Sequence, residues 1–181
     1  MKKIRSFFYF FCVVIFVITT VATAMAKDPK QSVNKMGYNE ITKSKITLAW
    51  KVEGQNLKVI LTAPTKGWVA VAFDPSRMMK DANFIIGYVD GDEVVVRDDF
   101  GTYFTAHAPD DSLGGSTDVK VVEGSEVKKK TMISFVIPLN SGDEYDKVLE
   151  EGVTYLVLIA YSDKDDFTVR HKKRVKVKIT L

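Results

Sequence analysis

Two kinds of side chain in this sequence can grip a haem iron from opposite sides. Met78 and Met79 stand together in Asp74-Pro-Ser-Arg-Met-Met-Lys-Asp-Ala-Asn83. His171 closes Asp165-Asp-Phe-Thr-Val-Arg-His171, just before the last alternating stretch. A thioether paired with an imidazole ligates iron in several electron-transfer cytochromes. With both axial positions filled, the iron has no free site for substrate, which suits electron transfer rather than catalysis at the metal. Residue types alone leave plainer roles open. Methionine is a common filler of core gaps, and a histidine ahead of a strand also serves as a surface or hydrogen-bonded residue.

Other metal and nucleophile chemistries fail on residue supply. Blue copper needs a thiolate with two imidazoles, and the one cysteine is Cys12. A zinc site is poorly supported, because there are two histidines, His107 and His171, and no His-Glu-x-x-His spacing. Covalent c-type haem needs Cys-x-x-Cys-His, which does not occur. There is no Gly-x-Ser-x-Gly elbow and no phosphate loop. The carboxylate pairs Asp98-Asp99 and Asp110-Asp111 read as solvated loop or edge residues and support no hydrolase. His107, in Thr105-Ala-His-Ala-Pro109, reads as a loop residue.

The elements that must position these residues are strands. Ile46, Leu48 and Trp50 alternate with polar neighbours, as do Leu57, Val59 and Leu61, and Glu53-Gly-Gln-Asn56 turns between them. Gly67–Phe73 is apolar on both faces, which predicts a central, doubly covered strand. Phe84–Val89 and Glu93–Val96 form a hairpin about Asp90-Gly-Asp92. Val119–Val122 and Thr131–Ile137 are read as joined by a Glu123-Gly-Ser125 turn and the run Lys128-Lys129-Lys130. Val153–Tyr161 is strongly apolar, and Val175, Val177, Ile179 and Leu181 alternate with basic residues. Parity along that last strand puts His171 on the side of Val175 and Val177, facing the apolar interior if the strand extends back that far. The one helical candidate is Asp143–Glu150. The pattern predicts an all-β, antiparallel immunoglobulin-like sandwich of about 8–11 strands with at most one short helix.

The chain is expected to start with a secretory signal peptide over residues 1–26. Lys2, Lys3 and Arg5 precede an apolar run from Phe7 to Val21, and Ala24-Met-Ala26 follows. Residues 27–38 read as a flexible leader and 39–181 as one domain. Cleavage after Ala26 removes Cys12 and three basic residues, so the formal charge falls from +3 to 0. The basic balance therefore gives no argument for nucleic-acid binding. Membrane attachment follows only if the N-terminal apolar segment stays uncleaved.

Order and spacing of several pieces resemble the DOMON family, in its haem-binding cytochrome branch. The pieces are Leu48-Ala-Trp50, Gly67-Trp-Val-Ala-Val-Ala-Phe73, the loop methionine, Ala82-Asn83 and Gly87-Tyr-Val-Asp90. Val96-Arg-Asp-Asp-Phe100, Pro109-Asp-Asp111, Gly114-Gly115, Thr117-Asp-Val119, Phe135-Val-Ile-Pro-Leu139 and His171 follow. The resemblance implies an exported b-type cytochrome domain, periplasmic or extracellular. It would bind one non-covalent haem b and exchange single electrons with a separate redox partner protein. It implies Met79 and His171 as iron ligands, with Met78 in reserve and Lys172 the ligand if the family's lysine variant applies. Trp68, Phe73 and Phe84 are expected to line the cofactor, and Arg170 or Lys172 to pair with its propionates. The basic cluster around His171 would also suit an acidic partner. Two other functions stay in view: a haem-free carbohydrate-binding module of the same family, and an adhesion or structural sandwich.

Overall fold

A computed structural model describes residues 29–181. The expected signal peptide, and Cys12 with it, lie outside the described residues. No helix among the described residues is long and apolar enough to cross a membrane.

Among the described residues, twelve strands form two six-stranded antiparallel sheets, joined by one four-residue helix. The first sheet runs in the order β1 (Ser32–Val33), β2 (Asn39–Lys43), β3 (Ile46–Glu53), β4 (Asn56–Ala63), β10 (Lys130–Pro138) and β9 (Lys120–Val127). The second runs β12 (Lys173–Thr180), β11 (Thr154–Tyr161), β5 (Val69–Phe73), β6 (Asn83–Asp90), β7 (Glu93–Tyr103) and β8 (Ala106–Pro109). The helix α1 (Asp110–Leu113) follows β8 directly. The expected β-sandwich is what is found. The strands beyond the expected number are short edge pieces such as β1 and β8, which carry too few residues to show a period.

The core fills the space between the sheets. Trp50, Leu57, Leu61, Ile133 and Phe135 meet Val71, Phe73, Ile85, Val157, Ile159 and Ile179 there. Each such side chain is shielded from water, a stabilisation of about 1.5–3 kcal/mol apiece. The Trp50 Nε1–H also reaches across to the Thr180 carbonyl, 3.1 Å away. Side chains of both sheets thus fill the interior.

Two local readings need correction. Asp143–Glu150 is not a helix. Its polar groups serve tertiary contacts instead: the Asp143 carboxylate accepts from Ser116 N–H at 2.6 Å and from Tyr145 N–H at 2.8 Å. The Tyr145 hydroxyl donates to the Leu113 carbonyl, and Leu149 N–H to the Leu139 carbonyl. Glu123-Gly-Ser125 lies inside β9, and the hairpin turns at Lys128-Lys129, both with positive φ. Gly124 is there because a side chain would strike Val94 of the facing sheet, 2.7 Å away. Within the expected leader, Gln31 hydrogen-bonds to the backbone of Thr180 at 3.1 and 3.3 Å, and β1 pairs with β2.

Candidate functional site

Alternation along β5 separates two faces of the second sheet. Val69, Val71 and Phe73 enter the core, whereas Ala70 and Ala72 face away from it. On the neighbours β6 and β11, Phe84, Ile86, Leu158 and Ala160 share that outer face. Three alanines in the middle of a sheet leave a shallow bed, with Ala70 and Ala72 about 7 Å apart along the strand. Two loops lie over this bed, and they carry the methionines and His171.

The methionine loop follows β5. Hydrogen bonds from Ser76 N–H to the Lys80 carbonyl (2.9 Å) and from Lys80 N–H to the Arg77 carbonyl (3.0 Å) close a tight turn around Met78 and Met79. Met78 takes φ +56° and stays 42% exposed. Met79 instead packs on Ala72, Ala82 and Phe84, beside Leu158. Backbone hydrogen bonds tie the loop down, and the Arg77 guanidinium covers the Phe104 ring at 4.7 Å. Met79 N–H donates to the Phe104 carbonyl (3.3 Å), Asp81 N–H to that of Gly101 (2.7 Å), and Gly101 N–H to that of Ala82 (2.8 Å). A Cβ on Gly101 would sit 1.8 Å from the Met79 carbonyl oxygen, so only glycine allows this approach.

The histidine loop joins β11 to β12 and is held the same way. Trp68 N–H donates to the Lys164 carbonyl (3.0 Å), Ser162 N–H to that of Trp68 (2.9 Å), and Lys172 N–H to that of Tyr161 (2.8 Å). Gly67 permits the contact, since a Cβ there would lie 2.2 Å from the Lys164 nitrogen. Phe167 fastens the loop on the bed, packing with Trp68, Ala70 and Ile86, its ring 5.1 Å from that of Tyr88. Met79 and Phe167 thus cap neighbouring stretches of one face.

β12 begins at Lys173, so strand parity does not govern His171. The imidazole is half-buried. Burial, joined by the charges of Arg174 and Arg170, pushes its pKa below the ordinary value, against an opposing backbone hydrogen bond. It is therefore neutral at pH 7, with a lone pair available. Lys172 is engaged elsewhere: its ammonium lies 2.6 Å from Asp163, and that hydrogen bond raises its pKa. Arg170 is exposed on the same loop. Trp68 and Phe84 are on the outer face, but Phe73 belongs to the core on the opposite side of the sheet. A uniformly apolar run hides that distinction when only hydrophobicity is read.

Sequence reasoning missed His107. It lies in β8 rather than in a loop, its ring stacked on Phe84 with centroids 5.1 Å apart and planes 18° apart. Its Nδ1 meets the Asp99 carboxylate, which also accepts from Arg97 Nε and Nη2 at 2.5 and 2.6 Å. Burial works to raise the Asp99 pKa, and the hydrogen bonds from His107 and Arg97 more than offset it, so the pKa is held low. The Arg97 guanidinium also covers the Phe167 ring at 4.8 Å. The two partners of Asp99 thus each meet an aromatic ring of the outer face, His107 that of Phe84 and Arg97 that of Phe167. The Asp98-Asp99 pair was the available signal.

The residues fit a haem on this face. The alanine bed and its aromatic rim offer an apolar seat. Met79 rather than Met78 packs there, and His171 is held neutral. The Trp68 Nε1–H on the same face is buried without an acceptor, a vacancy that a cofactor carboxylate would fill.

Comparison with known proteins agrees on the fold. The chain resembles the cytochrome b domain of pyranose dehydrogenase from Coprinopsis cinerea, at 13% identity and TM-score 0.63, covering 84% of this chain and 88% of that one. It also resembles the cytochrome domain of Myriococcum thermophilum cellobiose dehydrogenase, at 11% identity and TM-score 0.61, with the same coverage. No curated protein matches it. The DOMON domain family matches residues 42–162, well over half of the sequence, and the chain belongs to that family.

Proposed function

We propose that this protein is an exported, periplasmic or extracellular, b-type cytochrome module. It holds one non-covalent haem b on the outer face of its second sheet and passes single electrons to or from a separate redox protein. The observation that carries the reading is the convergence of two loops: the segments bearing Met79 and His171 both pack on the alanine bed of β5. The likeness to cytochrome domains supports it.

Haem supplies reversible one-electron chemistry at its iron. Met79 and His171 hold that iron, and a thioether ligand favours the reduced state, which raises the potential. Ala70, Ala72 and Ala160 keep the face beneath the cofactor shallow, while Phe84 and Phe167 exclude water. Trp68 Nε1 and Arg170 supply donors for propionates. No side chain is asked to transfer a proton, so the module is not itself an enzyme in this reading.

The test is an absorption spectrum of the purified protein with added haem, oxidised and then reduced with dithionite. A sharp low-spin reduced spectrum, lost in both Met79→Ala and His171→Ala, is expected. Absence of stoichiometric haem uptake overturns the proposal. The haem-free sugar-binding alternative has less to stand on, because Trp50 and Trp68 are both buried and present no stacking platform.

A further inference from the structure

Asp98, Asp110 and Asp146 come from β7, the first turn of α1 and the loop after β10. Each offers a carboxylate oxygen within 4.8 Å of the other two. Asp98 is 2% exposed and Asp110 0%. One Asp98 oxygen accepts from the N–H groups of Asp118 (3.0 Å) and Val119 (3.2 Å). Its other oxygen, and both oxygens of Asp110, have no protein partner. Asn83, 3% exposed, donates its amide N–H to Asp146 and leaves its amide oxygen equally unpartnered. Among the described residues no Lys, Arg or His pairs with any of the three carboxylates. Burial, followed by repulsion between the carboxylates, pushes Asp98 up to about 7 and Asp110 up to about 8. Buried polar atoms of this kind are rare in folded proteins, and each one calls for a partner.

We propose that this cluster is a calcium site, built from Asp98, Asp110 and Asp146 with the Asn83 amide oxygen as a neutral ligand. An all-oxygen set without thiolate or imidazole selects a hard cation. The spacing is no wider than the roughly 4.6–5.2 Å across a calcium oxygen shell. Magnesium fits less well, because it dehydrates reluctantly and usually keeps several waters rather than enter a set of three carboxylates and an amide. An open cleft of about 530 Å³, lined by Gly114-Gly115-Ser116 and Ser141–Tyr145, lies next in sequence to the helix and loop that carry Asp110 and Asp146. The ion joins the β6–β7 hairpin, the helix after β8 and the loop after β10. One of them begins at Asn83, four residues after Met79, so calcium braces the base of the methionine loop. The site stands independently of the haem reading.

The experiment treats the purified protein with EDTA and titrates it with calcium chloride alone, by calorimetry and by thermal unfolding. One calcium per chain with a dissociation constant below about 1 mM is expected, together with a raised Tm. Asp110→Asn should abolish uptake, and Asp146→Asn should weaken it at least about tenfold, the loss of 1.4 kcal/mol or more. The exposed control Asp92→Asn should bind as the parent does. Where Asp110→Asn fails to fold, the half-buried Asp146 variant decides. No uptake at 1 mM calcium, on the order of the weakest extracellular sites, overturns the proposal, and so does unchanged uptake by Asp146→Asn. Equal stabilisation by magnesium chloride overturns the assignment to calcium.

Discussion

Asp98 and Asp99 are adjacent in sequence and point to opposite sides of the second sheet. Asp99, on the outer side, is held between Arg97 and His107 and its pKa is held low. Asp98, on the inner side, meets other carboxylates and its pKa is pushed up. The hydrophobic residues divide in the same way. The inner face presents Val71 and Phe73, tightly packed, whereas the outer presents Ala70 and Ala72 under two loops. One side of this sheet is built for cohesion, and in the proposed function the other receives the cofactor. Strand alternation is what lets one segment do both.

Four substitutions test that division. Phe73→Ala removes a fully buried ring from the inner face and should cost about 3–5 kcal/mol. Its urea midpoint should fall sharply while the folded fraction keeps its haem spectrum. Loss of the spectrum from a folded variant would break the division. Asp99→Asn should cost about 1.5–3 kcal/mol at pH 7, the range for a hydrogen bond to a charged partner. The folded-state pKa of Asp99 lies below the unfolded value, so its contribution is present above about pH 4 and fades as pH falls further. The parent and the variant should therefore draw together in stability as the pH falls below about 4, as urea midpoints would show. Gly101→Ala forces a methyl group against the Met79 carbonyl and should cost about 1–3 kcal/mol. Its haem affinity should drop further than its stability alone explains, whereas the same change at Gly54, with open space around it, should leave haem affinity intact. Lys172→Ala, which removes an exposed pair with Asp163, should change neither the unfolding midpoint nor the haem spectrum. A changed spectrum would make the lysine a ligand.

Much of the sandwich was readable because half-buried antiparallel strands must alternate. β3, β4 and β12 show that period plainly. β5 shows it only in side-chain size, valine inward and alanine outward, and a count of apolar residues passes over it. That is why Trp68 and Phe84 were placed with Phe73, although the sheet separates them. Gly124 sounded like a turn but is needed where two sheets approach. Asp143–Glu150 has helical spacing, yet its side chains are committed to Ser116, Leu113 and Asn83. Local propensity does not register such long-range partners. His107 and the Asp98, Asp110 and Asp146 cluster were invisible for the same reason, because the chain that separates their members carries no trace of their meeting. The methionine and histidine segments were legible through the family resemblance, and the way glycines seat their loops emerged only in three dimensions.

The outer position of the alanine bed also bears on electron tunnelling, whose rate falls steeply with distance. A redox centre between the sheets would be screened by a full layer of strands and side chains on either side. One held on the outer face is covered by a single thickness of loop, tied by backbone hydrogen bonds at Gly67 and Gly101. In the proposed function, a partner that lands on those loops would come within a short tunnelling distance, with the sandwich behind as the wall.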